Sequence, residues 1–559
     1  MSARANKHLL LWTSVATLLL LVFAAFKENV LREWRGIQRD YQRHLPPAEA
    51  VDFHIQLRQI YVPALKASDR CISCHVGMAP DEKAIPGQRL YMSHPPVVHE
   101  PAEFGCVVCH AGQGRATEKA DGHGTAPHWP EPMIPARYAY GGCGTCHTHL
   151  AVPNLDVLAR GRALFERYDC FACHRLDGRG GTLRPGGASG IDGPDLSRSG
   201  GRAIDARWYE HHLAKHGEAQ SGAWQTSFDE IPADEREALG VFLSSRVGAP
   251  GLIESKALFH SLGCRGCHKV GGVGGDDGPD LTREGEKDPG RLDFTHVPGE
   301  HTLPNWLAEH FRAPAKVVPG SQMPYLRLTQ EQINGLTFYL LSLRRSDFPE
   351  ALWPKDRIRV VRLGEREFAV DGATLFGTFC AACHGQRAQG MRYAGMTPFP
   401  AIGNSDFLAI ASDRFLTDTI THGRPGRRMP PWGEKEGGLR PAEITAVVRY
   451  LRSRSDGAPA PADGPRRWVK VDAQNGAQLF KENCASCHGP AGEGREGPAL
   501  NNKVLLSSAT DTYLAETIKR GRRGTSMPSF TAPALMHRQL SQDEIESIVA
   551  FIRMWEAAS

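Results

Sequence analysis

All fourteen cysteines of the chain fall into one pattern. They make seven Cys-x-x-Cys-His motifs: Cys71/Cys74/His75, Cys106/Cys109/His110, Cys143/Cys146/His147, Cys170/Cys173/His174, Cys264/Cys267/His268, Cys380/Cys383/His384 and Cys484/Cys487/His488. None is left over. Structural disulfides would leave the seven histidines unexplained. A thioredoxin-like redox pair has no need of a His directly after it. A zinc ribbon needs four ligands and pairs two Cys-x-x-Cys motifs at a regular spacing.

The pattern that does use all five positions is the attachment signature of c-type haem. Each Cys forms a thioether to the porphyrin, and the adjacent His becomes the proximal iron ligand. The sequence therefore predicts seven covalently attached haem c groups. Composition fits a chain whose interior is filled partly by something other than helices and strands: 59 glycines and 39 prolines make it rich in turns. The 41% apolar content excludes wholesale disorder, and a net charge of +4 excludes a strongly basic nucleic-acid binder.

Arg4, Lys7 and His8 precede an uncharged run of 18 residues, Leu9 to Phe26. At 1.5 Å per residue it reaches about 27 Å, enough to cross a bilayer core. The run is longer than the usual 7–15 residues of a signal h-region, and Ala24-Ala25-Phe26-Lys27 is a poor cleavage site. Residues 1–26 are read as a retained transmembrane anchor. The positive-inside rule places the bulk of the chain on the outer, periplasmic face of a bacterial inner membrane. Residues 27–62 follow as a stalk or interfacial helix, with Val30, Leu31, Trp34, Ile37 and Tyr41 at helical spacing.

Motif spacing divides the rest. The first three motifs start about 36 residues apart, too close for a separate domain each, so residues 63–150 form one loop-rich trihaem module. The last four start about 100 apart, and each opens on an apolar segment: GRALFERYDC, KALFHSLGC, GATLFGTFC and GAQLFKENC. Helical stripes close them. Ser541 and Glu544 form a capping box before Ile545, Ile548, Val549 and Ile552; Ile444, Val447, Val448 and Leu451 repeat that spacing; Thr329 and Gln332 cap a helix through Leu336 and Leu340. Helix, motif, Gly/Pro-rich loop, helix resembles the class I cytochrome c fold, four times over. The domains are 155–248, 252–346, 365–455 and 470–559. Pro349–Arg362 and the segment SDGAPAPADGPRR read as linkers. The first two domains share Asp-Gly-Pro-Asp-Leu and the last two share Thr-Ile-x-x-Gly-Arg, so they form two related pairs. The expected fold is mainly α: one transmembrane helix, the trihaem module and four tandem class I domains.

In class I domains the sixth iron ligand is usually a Met in a Met-Pro step. The resemblance assigns Met323, Met429 and Met527 to the haems on His268, His384 and His488, with Met391 and Met396 as weaker competitors for His384. The domain at His174 departs from the pattern. Aligning Trp208 with Trp306 places Gln225 where Met323 stands, and no Met occurs there. His216 is the first choice for its sixth ligand and His212 the second. The trihaem module carries spare histidines in the manner of bis-histidine multihaem cytochromes. His94, His99 and His123 are expected to serve as distal ligands, with His128 next; hydrogen bonding to haem propionates is the alternative role.

Met/His ligation raises the iron potential, so the N-terminal cluster is expected to lie low and the three Met-bearing domains high. The stretches GRPGRRMPPW and KRGRRGTSMPSF flank two Met ligands, and read either as propionate neutralisation or as a docking face for an acidic partner. The plan resembles the cytochrome c subunits of bacterial quinol-oxidising respiratory complexes. The resemblance implies membrane-embedded b-type/Rieske or alternative-complex-III-like partners, a soluble cytochrome or terminal oxidase as acceptor, and no nucleic acid. The competing readings are a haem enzyme acting on peroxide, nitrite or a sulfur compound at His174, and a structural wire in a filament.

Overall fold

The computed structural model describes residues 3–95, 97–126, 129–181, 193–202, 206–214, 231–247, 249–344, 347–455, 459–533 and 537–557. Two compact units result. One comprises 1–145, 286–292 and 345–353; the other comprises 146–285, 293–344 and 354–559.

The first unit begins with the helix Ala3–Val30, whose apolar side chains from Leu18 to Phe23 are exposed. It is long and apolar enough to cross a membrane. A second helix, Glu33–His44, buries Trp34, Gln38 and Tyr41. The expected stalk therefore ends well before residue 62: the chain turns extended and pairs Ile60–Val62 with Ala67–Asp69 as a short antiparallel ladder. Regular structure is sparse beyond this point. A small core of Tyr41, Phe53, Val76 and Tyr91 is supplemented by the amide of Gln38, fully buried and bonded to the Gln56 and Ser73 carbonyls.

The second unit contains the four repeats. Each opens on a helix that runs into the haem motif: Leu155–Arg167, Pro250–Ser261, Gly372–Phe379 and Ala473–Asn483. Each closes on another: Ala233–Ser244, Gln330–Ser342, Pro441–Arg452 and Gln542–Ala557. The two cross at a glycine. A Cβ on Gly161, Gly372 or Gly476 would lie 2.4, 2.2 or 1.9 Å from a carbonyl oxygen of the closing helix, at Ala238, Ala446 or Ser547. The second repeat has Ser255 at that place and puts the glycine on the other helix, where Gly335 faces the Ser255 hydroxyl. On the same face, Phe165, Phe259, Phe376 and Phe480 are all buried against Phe242, Tyr339, Tyr450 and Phe551. The capping boxes at Thr329/Gln332 and Ser541/Glu544 form as expected.

The last two repeats share one core, with Phe415 against Tyr513 at 4.4 Å between ring centroids. Their contact is reciprocal. Asn404 caps a short helix in one repeat and donates to the Arg523 carbonyl of the other at 2.5 Å; Asn502 does the same toward Pro425 at 3.0 Å. Each closing helix carries an arginine tied to the same three groups. Arg452 bonds Asp413 and the Leu408 and Ala411 carbonyls, and Arg553 bonds Asp511 and the Leu506 and Ala509 carbonyls. The expected linker at Pro349–Arg362 is not wholly loop: Lys355–Leu363 is a helix ended by Gly364 in the left-handed region, with Arg357 buried.

Candidate haem centres

Every motif makes a tight turn. The backbone N–H of His75, His110, His174, His268, His384 and His488 donates to the carbonyl of the first Cys of its motif, at 2.8–3.0 Å. In the third motif a 3-10 helix, Ala136–Cys143, delivers the first Cys, and the helical turn Gly144–His147 carries Cys146 and His147, both half-buried. The turns Val107–His110, Ala381–His384 and Ala485–His488 carry the matching Cys and His in three others. No disulfide forms among the fourteen thiols. Burial pushes several of them up, Cys264, Cys380 and Cys484 to about 12. Among the described residues no group of three or more His, Cys, Asp or Glu converges as a bare metal ion would need.

In the four repeats the imidazole is oriented by a feature the sequence reading passed over. Nδ1 of His174, His268, His384 and His488 bonds the carbonyl of Pro194, Pro279, Pro400 and Pro498, at 2.8–2.9 Å. A ring that donates from Nδ1 keeps its lone pair on Nε2, the atom free to bind iron. The preceding glycines lie against the ring: a Cβ on Gly193, Gly278 or Gly497 would come within 2.4–2.8 Å of it. The backbone N–H of these glycines also holds the carbonyl of the motif's second Cys: Gly193 to Cys173 at 2.7 Å, Gly278 to Cys267 at 2.8 Å and Gly497 to Cys487 at 2.9 Å. Cys173 and Cys487 are thus fixed through their backbone as well as being half-buried at the side chain. So the shared Asp-Gly-Pro-Asp-Leu is the cradle of the proximal ring. Its shorter form, Gly-Pro-x-Leu at 497–500, was the signal available in the last repeat.

Met429 and Met527 occupy matching hairpins. Arg424 N–H donates to the Met429 carbonyl at 2.8 Å and Arg522 N–H to that of Met527 at 2.9 Å. Met323, Met429 and Met527 are all half-buried. The Met396 sulfur accepts from Arg428 at 2.9 Å. The basic stretches around these residues serve the fold. Arg428 pairs with Asp277, Arg523 with Asp406, and Lys519 and Arg520 with Glu516, while Arg424 and Arg522 bond Thr419 and Thr517. Three carboxylates of the chain, Asp277, Asp406 and Glu516, thus pair with four of the seven cations in these stretches.

In the first unit two histidines reach proximal rings. His123 lies parallel to His75 with centroids 6.3 Å apart, and His94 meets His110 at 6.1 Å and 68°. Two imidazoles on opposite sides of one metal, each nitrogen about 2.0–2.1 Å from it, have centroids roughly 6 Å apart. Burial, followed by neighbouring histidines, lowers the pKa of His75 and His110, which keeps these rings neutral and able to ligate. Both pairs concern the first two motifs. His99, expected as one of the three distal ligands, packs on Phe104. His128 lies outside the described residues. The first two motifs are drawn together by Asp69, whose carboxylate accepts from the backbone N–H of Cys106 at 2.5 Å and of Val107 at 3.2 Å. The Cys71 and Cys106 thiols lie near enough to act on each other, Cys106 lowering the pKa of Cys71 and Cys71 raising that of Cys106.

For the haem on His174, both His216 and Gln225 lie outside the described residues. His212 is stacked on Trp208 at 4.7 Å and 8°, just as His310 is stacked on Trp306 at 5.0 Å and 4°. The two segments thus match at Trp208/His212 and Trp306/His310. Burial and then the charge of His174 lower the pKa of His212, so the second choice is the ring near the proximal ligand.

Known families match the same repeats. Residues 158–246 and 253–344 each match the cytochrome c family, and 368–451 and 471–552 match the family of subunit III of cbb3-type cytochrome c oxidase. The chain is a multihaem c-type cytochrome. Its covalent haem and its role in electron transfer follow from these domains. The FixP subunit of a cbb3-type oxidase from Bradyrhizobium sp. (strain ORS 278) is 37% identical over 168 residues, 28% of this chain and 53% of that protein. The CcoP subunit from Rhodobacter capsulatus is 32% identical over 193 residues, 32% of this chain and 60% of that protein. This cytochrome thus spans little more than half the length of the curated relatives it matches. A solved Kuenenia stuttgartiensis reducing HAO-like protein complex is 22% identical over 33% of this chain and 94% of its own, with a TM-score of 0.24.

Proposed function

We propose that this cytochrome carries seven haems, is held on the periplasmic face of a bacterial inner membrane by Ala3–Val30, and relays electrons from a quinol-oxidising membrane partner to a soluble cytochrome or terminal oxidase. Bound haem supplies a one-electron iron couple whose potential follows its axial ligands. The chain's own residues do the rest. His75 with His123, and His110 with His94, would hold two irons from both sides. His147, with Cys143 and Cys146, would hold the third haem of the module. Proline carbonyls fix the proximal rings of the four repeats, and Met323, Met429 and Met527 complete three of them.

The observation that carries this reading is the pair of facing imidazoles at about 6 Å in one unit, set beside Met-Pro hairpins in the other. It implies low potentials near the N-terminus and high ones near the C-terminus, hence electron flow toward the Met-bearing repeats. A lone apolar helix cannot build a quinol site, so a membrane partner is required. The oxidase subunits among the relatives favour an oxidase at the far end. Purification of the native assembly tests this. Seven haem additions by intact mass and co-purifying quinol-oxidising subunits are expected. Fewer haems, or a chain that travels alone, overturns the relay. A high-spin, carbon monoxide-binding haem on His174 would favour the enzyme reading instead.

A further inference from the structure

We propose that the fifth and sixth motifs form a single electron junction, in which Cys267 and Cys383 lay the rims of two haems against each other and Gly263, Gly266 and Ala382 set the distance. The inference rests on the haem-bearing reading of both motifs, and adds the identity of the pair and of the residues that join it. It also crosses the boundary between the two families, since the cytochrome c match ends at 344 and the cbb3-type match begins at 368.

The two thiols lie within reach of each other: the Cys383 thiol is the largest influence on the pKa of Cys267, which it lowers, and the Cys267 thiol the largest on that of Cys383, which it raises. Each belongs to the second Cys of its motif, and a thioether joins that sulfur to the porphyrin rim through one carbon. Sulfurs this near would bring two conjugated edges close. The approach is built into the backbone. Gly263 has φ +73°, and a Cβ there would lie 2.7 Å from the Ala382 nitrogen and 2.9 Å from its Cβ. At Gly266 a Cβ would lie 3.1 Å from the Phe379 carbonyl oxygen and 3.4 Å from the Ala382 Cβ. Larger residues at either place would part the motifs.

Polar contacts close the junction on several sides. The Gln386 amide donates to the Ser261 carbonyl at 2.8 Å, and the Gly274 N–H to that of Gly437 at 3.1 Å. Arg428, next to Met429, donates from Nε to Asp277 at 2.9 Å, and Asp277 directly precedes the cradle of His268. Underneath, the fully buried Lys256 and Arg265 face Glu367 at 3.4 and 3.8 Å. With haem bound at both motifs, the approach of Cys267 to Cys383 would give one electron a short path from the donor iron to the acceptor iron. No bond breaks and no proton moves.

Closely set haems couple their Soret transitions and give a bisignate band in visible circular dichroism. The test compares the full-length holoprotein with Ala382→Leu and Gly266→Val, which enlarge the contact from opposite sides without altering any Cys or His. Ser486→Leu, at the same motif position in the last repeat and exposed, is the control. Peptide mass spectrometry establishes haem on both motifs. The expected result is that part of the couplet is lost in either junction variant and kept in the control. An unchanged couplet in both variants, with haem on both motifs, overturns the junction. Haem missing from either motif in the unsubstituted protein overturns the reading beneath it.

Discussion

Residues 71–147 give three motifs less chain than a single repeat gives to one. In that module no pair of long helices brackets a motif. One carboxylate, Asp69, holds two turns together, and His94 and His123 reach proximal rings from outside the motifs. In the repeats each motif has its own helix pair, its own proline carbonyl and, in three cases, its own Met. The difference is one of what fills the interior. Where motifs are dense, the prosthetic group must replace the apolar core. Where they are sparse, Leu, Ile and Phe side chains build one, continuous across the last two repeats. Candidate ligands differ in kind as well: the crowded module carries histidines between neighbouring motifs, and three of the roomy repeats carry a Met-Pro step.

Exchanging ligands between the two regions should give the largest effect. His123→Met should raise, and Met429→His lower, the potential of one haem by a sizeable part of the roughly 0.8 V that axial ligands span, read by spectroelectrochemical titration. His212→Ala should turn the haem on His174 high-spin in electron paramagnetic resonance, while leaving the Met-bearing signals unmoved.

The ionic interior of the repeats has no counterpart in size among the described residues of the module. Glu367→Gln would leave the buried Lys256 facing Arg265, and should cost the second unit about 3 kcal/mol by denaturant titration. Burial lowers the Lys256 ammonium to about 8, from the ordinary 10.5. Between those values the unfolded chain binds more protons than the folded one, so this group makes stability rise with pH there. Lys256→Met should flatten that rise. The smallest effect should come from the reciprocal caps. Asn404→Ala and Asn502→Ala should each cost about 1 kcal/mol, and nearly the same amount if the two-repeat contact is as symmetric as it looks.

Much of this was legible in advance. Cys-x-x-Cys-His, the closing stripes at Ile444 and Ile545, and the capping boxes depend only on local spacing, and they form as read. What escaped depends on distance in space. The proline carbonyl of each proximal ring lies 10–20 residues from its His and is a backbone atom, invisible to a side-chain motif. Spacing also says nothing of the 3-10 helix that feeds Cys143 in the third motif. The basic stretches read as propionate neutralisation or a docking face because Asp277, Asp406 and Glu516 are distant in sequence or carry no motif that ties them to the arginines. Lys355–Leu363 read as linker because it lies between two repeats and a proline opens it.

The exchanged glycine in the second repeat has a practical consequence. Gly161, Gly372 and Gly476 sit on opening helices, Gly335 on a closing one. A chimera that grafts Pro250–Ser261 onto the closing helix of another repeat would set Ser255 against a carbonyl with no room for it, and the reverse graft would leave a hollow between two glycines. The repeats look like interchangeable parts, yet the second can be transplanted only with both of its helices together.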